Sequence, residues 1–478
     1  MKRNILILLL VLTGMSSCND FLELVPEHQI SNNVFYKTQN DFDRALIGAY
    51  SSIRGLYSGS AILYAAELRT DNAEINWSSP SVDEMQFEQN ALTSTNTTVR
   101  GIWNVCFTTI SRCNTILDRI DAVDFDAAAK NKIIGEAKFL RAFSYFYLVR
   151  LFGDVPINEE VFDNPGEIQA ADLTRKPVEQ VYDLILADLT SAETLLPATL
   201  NADKTHASIG TVKSLIGKVH LTRKNYAAAE TKLKEVIDLK QYSLHENYAA
   251  LFSEGNNNTK ESLFEIQYIR GRSLGNNYSA LFTPAITSMA IFPNNLQGSG
   301  RITPTLSLFN AYEAGDKRKA TSVNDSVRLI NGSKSPARYA LKFVDFKVVE
   351  TSDGAVAFTV MRYADVLLMY AEALNEQSKT DQALPFLNMI RTRVGLPALA
   401  GLTQAQFRTA MENERRVEFM FEGQRWFDLV RTGRAREVLN AYYTGKKQNF
   451  SVAEYEVLFP IPLAEIELNS KLKQNEGY

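Results

Sequence analysis

The densest set of ionisable side chains in this sequence is Glu412, Glu414, Glu418 and Glu422, interleaved with Arg415, Arg416 and Arg425. Two carboxylates facing each other across a sugar could cleave a glycosidic bond, provided one is kept protonated as a general acid. The spacing points elsewhere. Glu414, Glu418 and Glu422 recur every four residues, on one side of a helix, and Arg415–Glu418 and Glu422–Arg425 have the i,i+3 spacing of ion pairs. Arginines beside these carboxylates would hold them ionised, which disarms a general acid. Structural ion pairing is the expectation, with a surface glycan hydrolase as the enzyme alternative.

Other catalytic constellations are weaker. Residues 271–275 read GRSLG and match the G-x-S-x-G nucleophile elbow. Hydrolases with that elbow place the histidine after the serine, and no histidine follows Ser273. The four histidines, His28, His206, His220 and His245, have no metal-ligand spacing, and there is no H-E-x-x-H. No phosphate-binding glycine loop opens a helix. The sequence therefore predicts no catalytic residue, no metal and no cofactor.

Binding chemistry has better candidates. A glycan site that does no catalysis needs flat apolar faces for sugar rings and amides or carboxylates for hydroxyls. Two loop regions supply them. One runs through Asp71, Asn72, Asn76 and Trp77; the other runs from Asn276 and Tyr278 to Phe292, Asn294 and Asn295. Trp77, Asp71, Asn72, Tyr278, Phe292, Asn294 and Asn295 are the candidate ligand contacts. Trp77 leads, because a tryptophan among polar residues is costly to expose without a use.

The elements that must position these loops are mostly helices. Apolar residues recur at helical spacing over 41–56, 98–120, 127–151 and 177–196. Two later segments read as helical hairpins: 208–222 with 226–239, and 362–376 with 381–394. In the first, Gly217 and Ala229 stand twelve apart; in the second, Ala371 and Ala383 do. Small residues at that offset let antiparallel helices approach closely, as in tetratricopeptide repeats. Between the hairpins the texture changes. Residues 261–268 (ESLFEIQY) read as a strand, and 270–305 are rich in Gly, Asn, Ser and Pro. The stretch of about 250–360 is expected to be an irregular insertion with some β structure. Cys106 and Cys113, seven apart on a helix, would have Cα atoms roughly 10 Å apart, too far for a disulfide. They read as small buried hydrophobes.

The N-terminus carries an export signal. Lys2 and Arg3 precede an unbroken apolar run over 5–12, then Gly14, Ser16, Ser17 and Cys18. A membrane span needs roughly 20 apolar residues, so this run is a leader and not a spanning helix. Met15-Ser16-Ser17-Cys18 resembles a bacterial lipobox, with Met15 where leucine is usual; the cysteine would be lipidated. Residues 1–17 are then the leader and 18–478 one mature domain. Removing the leader leaves 49 basic against 55 acidic residues. This mild acidity, without a basic run, offers nothing to nucleic acid.

Several motifs along the chain resemble the SusD/RagB family of surface lipoproteins. These are CNDFLE at 18–23 with Pro26, Trp103 through Asn114, GEAKFLRA at 135–142 with Tyr145 and Phe146, and FGDVP at 152–156. They continue with RYADVLLMYAEALN at 362–375, ERRVE at 414–418, FEGQRWFDL at 421–429, FPIP at 459–462, Glu465-Ile466, Asn469, and QNEGY at 474–478, where Glu476 replaces the commoner proline. The resemblance implies a mostly α, SusD-like fold with tetratricopeptide-like helix pairs. It implies an outer-membrane, cell-surface location and a lid-like partnership with a SusC-like TonB-dependent β-barrel transporter. It implies a glycan ligand, or a peptide in some members. The matched motifs are mostly scaffold, so Arg141 and Trp426 are expected in packing and ion pairing.

Overall fold

The computed structural model describes residues 35–76, 78–162, 164–199, 201–286, 289–292 and 296–478. The leader and Cys18 lie outside the described residues. The first layer is α1 (Gln39–Ile53), α2 (Thr97–Arg119), α3 (Ala127–Phe152) and α4 (Val178–Leu195). Two of them begin at side-chain caps. Asn96 accepts from the backbone N–H groups of Thr98 and Val99 at 3.0 and 3.1 Å, and Asp126 accepts from Ala129 at 2.8 Å. Helix α3 packs against α2 and α4 and is buried nearly all round beyond Gly135. Its buried Arg141 meets Asp188 of α4 through two hydrogen bonds of 2.7 and 2.8 Å, so this guanidinium is paired. Cys106 and Cys113 are buried free thiols on α2.

Two helix pairs follow: α5 (Ile209–Thr222) with α6 (Tyr226–Asp238), and α7 (Tyr363–Glu376) with α8 (Thr380–Arg393). A Cβ built on Gly217 would lie 2.6 Å from Leu233 Cγ, so only glycine admits this approach of α6. The pairs are far apart in sequence, yet α6 packs directly on α7, giving the expected stack.

Short antiparallel ladders replace a large sheet. They join β1 (Ala73–Glu74) to β3 (Thr303–Pro304) and β2 (Ser262–Ile266) to β6 (Phe358–Arg362); β4 (Val323–Arg328) and β5 (Lys334–Ala340) form a hairpin. The chain leaves the scaffold after β2 and returns at β6. The residues between them make the loop-rich excursion.

An ion-pair core locks that return. Arg362, the last residue of β6, donates to Glu261 at 2.8 Å, Glu418 at 2.5 Å and Glu422 at 2.8 Å. Arg318 reaches Asp316, Glu414 and Glu418. Arg393 bridges Glu261 and Glu418, and Lys342 holds Glu422 at 2.5 Å. The i,i+3 pairs expected from spacing give way to these long-range partners. Helix α9 (Gln404–Glu418) ends at Glu418, and positive φ at Phe421 and Gly423 turns the chain, so Glu422 lies off the helix. Arg415 instead binds Asp365 and Asp428, and Arg425 binds Asp71 and Glu412. A carboxylate as buried as Glu418 needs several cations at once, and one helix face cannot supply them. Burial works against its charge, but Arg393, Arg362 and Arg318 together hold it well below the usual carboxylate range. Glu414 departs from the expected uniform ionisation: burial pushes it up, against Arg318 and helped by the neighbouring Glu418 charge.

Candidate ligand-binding surface

The two loop regions singled out above are neighbours in space. Strand β1 pairs Ala73 with Pro304 and Glu74 with Thr303. The ladder is extended at both ends: Asn76 N–H donates to Gly300 O at 3.3 Å and Thr305 N–H donates to Asn72 O at 3.0 Å. The chain running into Trp77 therefore lies against 300–305. On its other side, this second strip donates from Ser299 N–H to Ala280 O at 2.7 Å and from Gly300 N–H to Thr283 O at 2.8 Å. A Cβ on Gly298 would stand 2.0 Å from the Thr283 carbonyl oxygen, so glycine is required for the strip to lie this close. The middle of the loop is tied to the β4–β5 hairpin, where Ala290 N–H donates to Arg328 O at 2.9 Å. Arg338 of β5 donates to Glu74 at 2.5 Å and to Pro304 O at 3.2 Å.

The candidate residues divide. Trp77, Asn294 and Asn295 lie outside the described residues. Asp71 and Asn72 are buried at the base of the loop. Asp71 takes two hydrogen bonds from Arg425, at 2.8 and 2.9 Å, with Arg416 at 3.0 Å. Burial alone would raise its pKa, but Arg425 and Arg416 outweigh it and hold the carboxyl below its usual value. Asn72 donates to Glu67 at 3.0 Å and accepts from Arg416 at 2.8 Å. Tyr278 is fully buried, its hydroxyl donating to Tyr57 O and its ring stacked on Phe282 with centroids 5.7 Å apart. Phe292 is 6% exposed.

The side chains of these four residues are buried against the scaffold and hold the loop down. The Asp71 carboxylate, the Asn72 amide and the two aromatic rings anchor the surface by taking polar and apolar partners from the scaffold. Sequence reasoning missed their partners, Arg416 and Arg425, which stand about 350 residues downstream. Among the described residues beside Trp77 and the 293–295 segment, Asn76, Ser78 and Gln297 are exposed.

The enzyme candidates are placed as well. Ser273 sits in an exposed turn at φ 54°, closed by a bridge between Ile269 and Leu274, and no helix follows directly as a nucleophile elbow would require. Glu414, Glu418 and Glu422 are buried in the ion-pair core. His206 hydrogen-bonds Glu136 at 2.7 Å, and this contact raises its pKa against the opposing effect of burial. No group of three or more metal-ligating side chains is found among the described residues. Trp426 is fully buried under the Arg69 guanidinium, 3.5 Å from the ring centroid.

This stacked-helix scaffold, with an ion-paired return strand and a surface loop held at both ends, has characterised relatives. Residues 322–478 match the SusD family model, and residues 20–221 match a model described as starch-binding associating with outer membrane. The SusD-like protein P2 of Formosa agariphila is 28% identical over 510 residues, spanning 100% of this chain and 99% of that protein. A laminarin-binding SusD-like protein of known structure is 26% identical with TM-score 0.80, covering 93% of this chain and 100% of the other. A SusD superfamily protein from Parabacteroides distasonis is 28% identical with TM-score 0.78, covering 91% and 99%. The chain belongs to the SusD/RagB family.

Proposed function

We propose that this chain is a cell-surface lipoprotein of the outer membrane, anchored through Cys18, that captures an oligosaccharide. We propose further that it hands the ligand to a SusC-like TonB-dependent β-barrel transporter, and that it is not an enzyme. The observation that carries the reading is the convergence of the two loops. The Asn76–Gly300 contact puts the chain leading to Trp77 beside the strip that follows Asn294 and Asn295. An aromatic face next to amides is the chemistry that sugar rings and hydroxyls need. The laminarin-binding relative, of similar fold over nearly the whole chain, supports the glycan class. The family description of association with the outer membrane supports the location. No helix among the described residues is long and apolar enough to cross a membrane, so a lipid on Cys18 would serve as the anchor.

Calorimetric titration of the mature protein with laminarin and starch oligosaccharides tests this. Saturable binding without chain shortening is expected, weakened at least tenfold by Trp77→Ala. Release of shorter sugars would overturn the non-enzymatic reading. Binding of peptides and of no glycan would change the ligand class and keep the uptake role. Solubilised membranes should yield the protein together with a large β-barrel.

A further inference from the structure

A small cavity lies where α3, α5, β6 and the short helix α10 (Arg425–Arg431) meet, and none of the loop residues of the proposed glycan surface lines it. Its volume is about 20 Å³. One water-sized occupant needs roughly 10–15 Å³, so a single small species fits and an organic ligand does not. Two cations line the cavity, Arg150 of α3 and Lys218 of α5. Both are only part-buried, so an ion can reach them from solvent.

Arg150 has no counter-charge in the protein. Its guanidinium lies 3.7 and 3.9 Å from the ring centroids of Phe146 and Phe427, and its Nε donates to Phe146 O at 2.9 Å. Burial pushes its pKa down, and only tyrosine groups act against that; no described carboxylate pairs with it. Aromatic faces attract a cation but bring no net negative charge to neutralise it. The neighbouring charges close on themselves. Lys218 and Arg415 share Asp365, Arg415 and Arg431 share Asp428, and Arg431 also holds Glu372. Three cations thus meet three carboxylates, and Arg150 stands outside the balance. Lys218 donates to Asp365 at 2.9 Å and to Gln424 at 2.7 Å, which leaves the third N–H of its ammonium over. Burial pushes its pKa down and Asp365 opposes this, while the Arg415 and Arg150 charges add to the push. Two cations that repel each other at one cavity, one of them unmatched, favour an anion beside both.

We propose that this cavity binds a single monatomic anion, chloride in ordinary salt, held by Arg150 and Lys218 and joining α3 to α5. The cavity size selects a halide over an organic acid, and the uncompensated guanidinium selects an anion over water. The site does not rest on the glycan reading.

The test follows thermal unfolding of the full mature protein in sodium chloride and in sodium gluconate, whose anion is too large for the cavity, at one ionic strength. The midpoint should rise with chloride and level off about 1–3 °C higher, as binding to the folded state alone requires, and gluconate should give no such saturable rise. Arg150→Gln should abolish the chloride-specific rise, whatever the midpoint of the variant itself. A crystal of the unchanged protein grown in bromide supplies a second measurement that stands even if the variant fails to fold. An anomalous-scattering peak against Arg150 and Lys218 supports the site. Its absence overturns the proposal, as does the same response to both salts or an undiminished chloride response in Arg150→Gln.

Discussion

The backbone N–H of Asn76 donates to the carbonyl of Gly300 at 3.3 Å, one of several backbone contacts that join two loops more than two hundred residues apart in the chain. It extends the two-residue ladder of β1 and β3 toward Trp77. The surface proposed to hold a glycan is therefore a composite, and its integrity depends on the backbone strip at 298–305.

That dependence predicts the behaviour of Gly298→Ala. The added Cβ would collide with the Thr283 carbonyl, which is backbone and cannot rotate away. The strip should shift at a cost of about 1–3 kcal/mol. Glycan affinity should fall at least tenfold by titration, with only a small change in thermal midpoint. Unchanged affinity would show that the strip does not shape the site.

Glu418 should be among the most sensitive positions for stability. Its carboxylate serves Arg318, Arg362 and Arg393, all at most 5% exposed in their side chains. Glu418→Gln leaves buried guanidiniums without a counter-charge and should destabilise by about 3–5 kcal/mol in denaturant unfolding. The exposed pair Lys234–Asp238 provides the contrast, and Lys234→Ala should cost about 0–1 kcal/mol.

The first helix pair should resist any side chain at Gly217. Gly217→Val places its Cβ 2.6 Å from Leu233 Cγ and should destabilise by about 1–3 kcal/mol. Trimming the partner in the double variant Gly217→Val/Leu233→Ala should cost less than the two single changes added together. Strict additivity in chemical denaturation would mean that the two positions do not press on each other.

Glu67 predicts a pH dependence near neutrality. Burial pushes its carboxyl up to about 7 from 4.5, although Asn72 and the Gln424 and Gly423 amides donate to it and pull it down. The folded protein therefore binds this proton more tightly than the unfolded chain does. Its contribution is fully present below the unfolded value of about 4.5 and is lost as pH rises through about 7. The thermal midpoint should fall between pH 5.5 and 8, and Glu67→Gln should flatten that fall. An equal slope in the two proteins would rule Glu67 out as its source.

Much of the scaffold was legible from residue patterns. Helical periodicity placed α1 through α8 within a few residues, and the small residues Gly217 and Ala229 marked a close helix pair. The ESLFEIQY strand was found where expected, although its partner, β6, lies almost a hundred residues on. The surface proposed to bind a ligand was only half legible. Asp71, Asn72 and Tyr278 have the composition of contacts but the burial of anchors, and no local signal separates the two. Their partners Arg416, Arg425 and Tyr57 come from distant segments, so the distinction exists only once the chain is folded.

The division has a physical cause. Helix formation, capping and turn placement depend on residues within a few positions, so the order of side chains along the chain determines them. Charge pairing obeys no such locality. The arginine–glutamate spacing at 412–425 announced ion pairs, yet burial of Glu418 forced each carboxylate to gather cations from several elements at once. Only the packed molecule decides which arginine serves which carboxylate, and only there do the Asn76 and Gly300 backbones come into register.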